Sequence, residues 1–111
     1  MDFNEAREMA LAFRTERDWG QFHNEKDLAI SLNLETAELL EVFQWSGERT
    51  RIPEKRDKIA EELADVFIYG IYLAEECGLD IPEIVARKVQ TNASKYPVEK
   101  ARGRSEKYDE L

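Results

Sequence analysis

The chain has 111 residues, with 16 Lys+Arg against 24 Asp+Glu, a formal net charge of −8, and 42% hydrophobic residues. That length fits one domain, and the composition is too apolar for a disordered chain. The acid excess excludes a nucleic-acid-coating protein, whose affinity rests on clustered Lys and Arg, but leaves open a cation-assisted phosphate site.

Cys77 is the only cysteine, so there is neither an internal disulfide nor a C-x-x-C pair. Its expected place is that of a small buried hydrophobe near a helix end. The segment Met1–Glu5 lacks the basic and apolar regions of a signal peptide, and the apolar run Val66–Ala74 is too short to span a bilayer. The expectation is a soluble, cytoplasmic protein with no membrane partner.

Five glycines and three prolines punctuate the chain. A first helix is expected from Asn4 to Trp19, with Phe3, Ala6, Ala10, Phe13 and Arg17 at helical spacing, broken by Gly20 to His23. Asn24 with Asp27 is a start signal for a second helix reaching Trp45, which Ser46-Gly47 ends. Pro53 opens a third helix running to Cys77, with Gly78 as its stop. Asp80-Ile-Pro-Glu83 caps a fourth, ending near Lys95 before Pro97. Residues 1–97 form the domain, and 98–111 a charged, flexible tail. Nothing reads as a strand, so the fold class is all-α with four helices.

At about 100° per residue, Leu28, Leu32, Leu39, Val42 and Phe43 form one apolar stripe on the second helix. Glu35 falls inside that stripe and Glu38 at its edge, whereas Glu41 lies further round toward solvent. The third helix repeats the oddity, since Asp65 is the one charge between Leu63 and Ala74. Such a helix is normally buried all round. Glu35/Glu38 and Glu62/Asp65 are therefore two acidic pairs at i,i+3, each able to share a ligand. A carboxylate on an apolar stripe costs several kcal/mol unless neutralised. No Lys or Arg lies beside either pair on the wheel, although Lys58 reaches Glu62 and Asp65 in part. A divalent cation is the economical partner, and an oxygen-only ligand set suits Mg²⁺, with Mn²⁺ as substitute. A di-iron bundle would need Glu-x-x-His on two helices, and the one histidine, His23, lies outside both.

The pairs Glu35-Thr-Ala-Glu38 and Glu62-Leu-Ala-Asp65 resemble the Glu-x-x-Glu and Glu-x-x-Asp pattern of the MazG-like nucleoside triphosphate pyrophosphohydrolases. The strings Arg17-Asp-Trp-Gly-Gln-Phe-His23, Leu39-Leu-Glu-Val-Phe-Gln-Trp45, Glu61-Glu-Leu-Ala-Asp-Val-Phe-Ile-Tyr69 and Thr91-Asn-Ala-Ser-Lys-Tyr-Pro97 look like the dCTP pyrophosphatase branch, in the same order. The likeness runs from Phe3 to Arg102. Two departures stand out. Leu34 occupies a position that is Glu in many relatives, and Ala37 one that is often glycine.

The resemblance implies a four-helix MazG-like bundle of the all-α NTP pyrophosphatase type, completed by oligomerisation, with a homotetramer (a dimer of dimers) favoured over a dimer. It implies Mg²⁺-dependent hydrolysis of dCTP or related (deoxy)nucleoside triphosphates between the α- and β-phosphates, as nucleotide-pool cleaning. The metal ligands would be Glu35, Glu38, Glu62 and Asp65, with Glu38 the first choice as catalytic base. Trp19 and Trp45 would stack on the base, as their counterparts do, although both suit a core equally. His23 is a candidate for base or sugar, or for a helix cap. Lys88 and Asn92 share a face of the fourth helix, where Lys meets phosphate and Asn hydrogen-bonds base or sugar. Lys95 and Tyr96 extend that set, and Tyr69, one turn past Asp65, lines the pocket or the core. The alternative is a non-catalytic helical dimer serving as an interaction or nucleotide-sensing module.

Overall fold

A computed structural model describes all 111 residues. The chain is helical throughout, without strands, and forms two compact units, Met1–Gly78 and Leu79–Leu111. No helix is long and apolar enough to cross a membrane.

The first unit holds α1 (Phe3–Glu16), α2 (Glu25–Glu41) and α3 (Arg56–Cys77). The Asp2 side chain caps α1 by accepting from the Glu5 amide at 2.9 Å, and Asn24 caps α2 from the Asp27 amide at 2.8 Å. Such caps satisfy amides left orphaned by the first helical turn. Gly78, at φ 67°, stops α3 in the left-handed conformation that glycine adopts without strain.

Three expected boundaries move. α1 stops at Glu16, because Asp18 takes a left-handed φ of 53° and Trp19–Phe22 winds as a 3₁₀ turn. α2 ends at Glu41 rather than Trp45. From Val42 to Gln44 each amide donates three residues back, at 2.9–3.2 Å, so the chain tightens and turns away. Pro53–Lys55 forms a 3₁₀ turn ahead of α3 rather than its first turn.

α2 packs along α3, and α1 packs on α3. Leu28, Val42, Ile52, Ile71, Tyr72 and Ala74 are buried. The chain does not cover α3 on every side, because Leu63 and Phe67 face outward, as do Ile30, Leu34 and Leu40 on α2. Cys77 is exposed, not buried. It sits at the solvent end of α3, and desolvation together with Glu25 and Glu76 raises its thiol pKa.

α1 is tied to the C-terminal half of α3 by polar links. Arg7 meets Glu75 at 2.6 Å, Arg14 meets Glu76 at 2.9 Å, and the Tyr72 hydroxyl donates to the Ala10 carbonyl at 3.0 Å. In the loop before α3, Arg49 grips both oxygens of Glu54 at 2.6 and 3.0 Å.

The second unit holds α4 (Ile81–Lys95), capped by Asp80 accepting from the Glu83 amide at 3.1 Å, and the short α5 (Val98–Ala101). Residues 98–111 thus include a helical turn, and the Tyr108 ring meets the rings of Tyr96 at 6.1 Å and the Lys95 ammonium at 5.0 Å.

Candidate functional site

Helical phase and the α2–α3 contact bring carboxylates from two helices to one place. One oxygen each from Glu35, Glu62 and Asp65 lies within 4.8 Å of the others. Glu62 is buried, Glu35 and Asp65 are half-buried, and Glu38 is exposed. Glu38 is outside that set of three but adjoins it. It lines a polar groove of about 510 Å³ with Glu41, Val42, Lys55, Lys58 and Glu62.

The electrostatics of the cluster are dominated by burial and like charge. Burial, then the charges of Glu38 and Asp65, raise the pKa of Glu35. Glu35 Oε2 and Glu62 Oε2 are buried without a hydrogen-bond partner. A buried polar atom left unpaired is uncommon and costly, and a cation held between the carboxylates would satisfy both oxygens. All the donors are carboxylate oxygens, which fits a hard ion such as Mg²⁺ or Mn²⁺ and disfavours softer metals. Lys58, placed by its spacing within partial reach of the second pair, brings Nζ to 3.0 Å from Glu62 Oε1.

On the other side of Asp65 is an apolar cavity of about 580 Å³, walled by Met9, Phe13, Trp19, Ile68, Tyr69 and Tyr72 among others. Trp19 stands edge-on to Phe13 with ring centroids 5.5 Å apart, while Tyr69 stands edge-on to Tyr72 at 5.8 Å. Burial and the charges of Glu35 and Asp65 raise the pKa of Tyr69, so it remains a neutral hydroxyl donor beside the acids. Apolar walls with a polar group at one end suit an aromatic ligand carrying a charged tail.

The remaining candidates are dispersed. His23 packs its ring on Tyr72 at 5.4 Å, with Nδ1 3.4 Å from Arg14 Nη1. Burial and then Arg14 lower its pKa, which favours the neutral imidazole. Trp45 is 86% exposed, because the tightened end of α2 swings it off the apolar stripe that would make it a core residue. Lys88, Asn92, Lys95 and Tyr96 belong to the second unit, where Tyr108 engages the last two. The α1 wall of the apolar cavity, Met9 and Phe13, carries no chemical motif. Its only signal in sequence is the helical spacing of α1's apolar residues.

A family model described as MazG-like matches residues 30–111. The dCTP pyrophosphatase 1 proteins of Mus musculus and Homo sapiens are each 41% identical over 110 residues, 95% of this chain. The chain spans 65% of the length of those relatives. A solved pyrophosphatase from Archaeoglobus fulgidus DSM 4304 is 36% identical and superposes with a TM-score of 0.70, covering 85% of this chain and 91% of the other. Glu35, Glu38, Glu62 and Asp65 all lie within residues 30–111, and the chain belongs to the MazG-like family.

Proposed function

We propose that the chain is a divalent-metal-dependent nucleotide pyrophosphohydrolase. It splits dCTP or a related deoxynucleoside triphosphate between the α- and β-phosphates, releasing the monophosphate and pyrophosphate. One observation carries the reading: two buried, unpartnered carboxylate oxygens on facing helices, beside an aromatic cavity that Asp65 also lines. The dCTP pyrophosphatase 1 relatives support the cytosine preference.

Glu35, Glu62 and Asp65 would hold the ion, with Glu38 as a fourth ligand. A bound Mg²⁺ supplies charge neutralisation and polarises phosphate oxygens for in-line attack by water. Glu38, the exposed member, would accept the proton of that water. Trp19 and Tyr69 enclose the base, and apolar walls there exclude water from one flank of the reacting phosphate. The His23 ring backs Tyr72 and positions that wall. Trp45 is a further nucleotide contact in this reading, on the resemblance alone, which also assigns nucleotide contacts to Lys88, Asn92, Lys95 and Tyr96 of the second unit.

The chain assembles as a homotetramer, a dimer of dimers. Exposed Leu34, Leu40, Leu63 and Phe67 support this, since apolar surface of that extent on two helices marks an interface. The reading is cytoplasmic, acting on the nucleotide pool.

The decisive experiment is product analysis after incubation with each deoxynucleoside triphosphate, with and without Mg²⁺. Metal-dependent monophosphate plus pyrophosphate, greatest with dCTP, is expected. Diphosphate plus orthophosphate would move the cut and overturn the reaction. Metal-dependent binding without product would favour the sensing module.

A further inference from the structure

The two oxygens of Glu62 have different fates. Oε1 takes the Lys58 ammonium at 3.0 Å, while Oε2 is buried with no partner. The Glu62 side chain is 10% exposed and the Lys58 side chain 58%, so the carboxylate is fixed and the ammonium has room to leave.

Helix energetics do not account for Lys58. It lies in the first turn of α3, beside Lys55 and Arg56, where the dipole disfavours a cation. Lysine preceding glutamate at i,i+4 is also the weaker order of the pair. What holds the ammonium there is the buried carboxylate and the acids around it.

We propose that Lys58 is the site's own counter-ion, a resident cation that pairs with Glu62 until a divalent ion arrives and then cedes it. This rests on the metal-site reading above. Without Lys58, the metal-free cluster would hold Glu62 buried and wholly unpaired. With it, the cluster stays assembled, and the divalent ion binds more weakly than to the bare carboxylates because it must displace or tolerate a like charge. Glu62 keeps its place through burial, so removal of the lysine frees the charge without loosening the ligand.

The test is a Mn²⁺ titration of the metal-free full chain, followed by electron paramagnetic resonance of the free ion, with thermal unfolding beside it. Lys58→Met is expected to bind Mn²⁺ roughly tenfold more tightly, the effect of removing one nearby, partly screened charge. Its metal-free form should melt several degrees below the wild type, and saturating Mn²⁺ should close that gap. Lys58→Gln, which can still donate to Oε1, should fold normally and tighten in the same direction. Lys58→Arg should restore the wild-type affinity. Unchanged or weaker Mn²⁺ binding by both neutral variants would overturn the counter-ion role. If wild type binds no Mn²⁺, or Glu35→Gln binds as well as wild type, the metal site itself fails and the proposal with it.

Discussion

The two halves of α3 handle acidic side chains in opposite ways. Near its C-terminus, Glu75 and Glu76 each meet an arginine of α1, at 2.6 and 2.9 Å. Toward its N-terminus, Glu62 and Asp65 face Glu35, another acid, and a single lysine answers one oxygen of one of them. Paired acids make a helix contact. Like-charged ones held together cost stability unless a cation neutralises them. On the function proposed above, the difference separates structural from chemical carboxylates on one helix.

Substitution should break this contrast most visibly at Asp65. Asp65→Asn keeps the shape, removes a charge, and is expected to cut turnover at least about a hundredfold while leaving helicity unchanged by circular dichroism. Near-normal turnover would place Asp65 among the structural acids. Trp19→Ala removes a wall of the adjoining cavity while leaving the acids intact. KM should rise about tenfold with kcat little changed, as steady-state kinetics would report. A fall in kcat alone would separate the cavity from substrate binding.

At the paired end the expectation reverses. Arg14→Met strips Glu76 of its partner and Tyr72 of the guanidinium 5.1 Å above its ring. It should lower stability by about 1–2 kcal/mol in urea unfolding, since Glu76 can still turn to water, and leave Mn²⁺ binding intact. The smallest effect belongs to the loop. Arg49 holds the Glu54 carboxyl down to about 2. A lowered pKa gives stability that is complete above the ordinary carboxylate range and drains away as pH falls toward that value. Both groups are solvent-exposed, so Glu54→Gln should shift the melting temperature little at pH 7 and less still at pH 2.

Sequence periodicity carried much of this. Caps at Asn24 and Asp80 and the stop at Gly78 read directly, because each is a local property of backbone and side chain. The acids were legible because Glu35 and Asp65 interrupt apolar stripes. What escaped was set by neighbours distant in sequence. Trp45 reads as the end of a stripe until the last turns of α2 tighten and carry it outward. The outward faces of Leu63 and Phe67 look like core, since a helical wheel records hydrophobicity and not which molecule covers it. The aromatic cavity needs α1 and α3 together, so the spacing within each helix shows an apolar face without showing that the two faces enclose a cavity.

The most direct measurement is thermal unfolding of wild type and Asp65→Asn, each without and with saturating Mg²⁺. An unpaired acid that serves a cation costs stability until the cation binds. The metal-free variant is therefore predicted to be at least as stable as the metal-free wild type. Mg²⁺ at a hundred times its dissociation constant should stabilise wild type by about 2.7 kcal/mol and the variant far less. A wild type indifferent to Mg²⁺, with an Asp65→Asn variant that melts lower, would make the cluster structural and contradict the site.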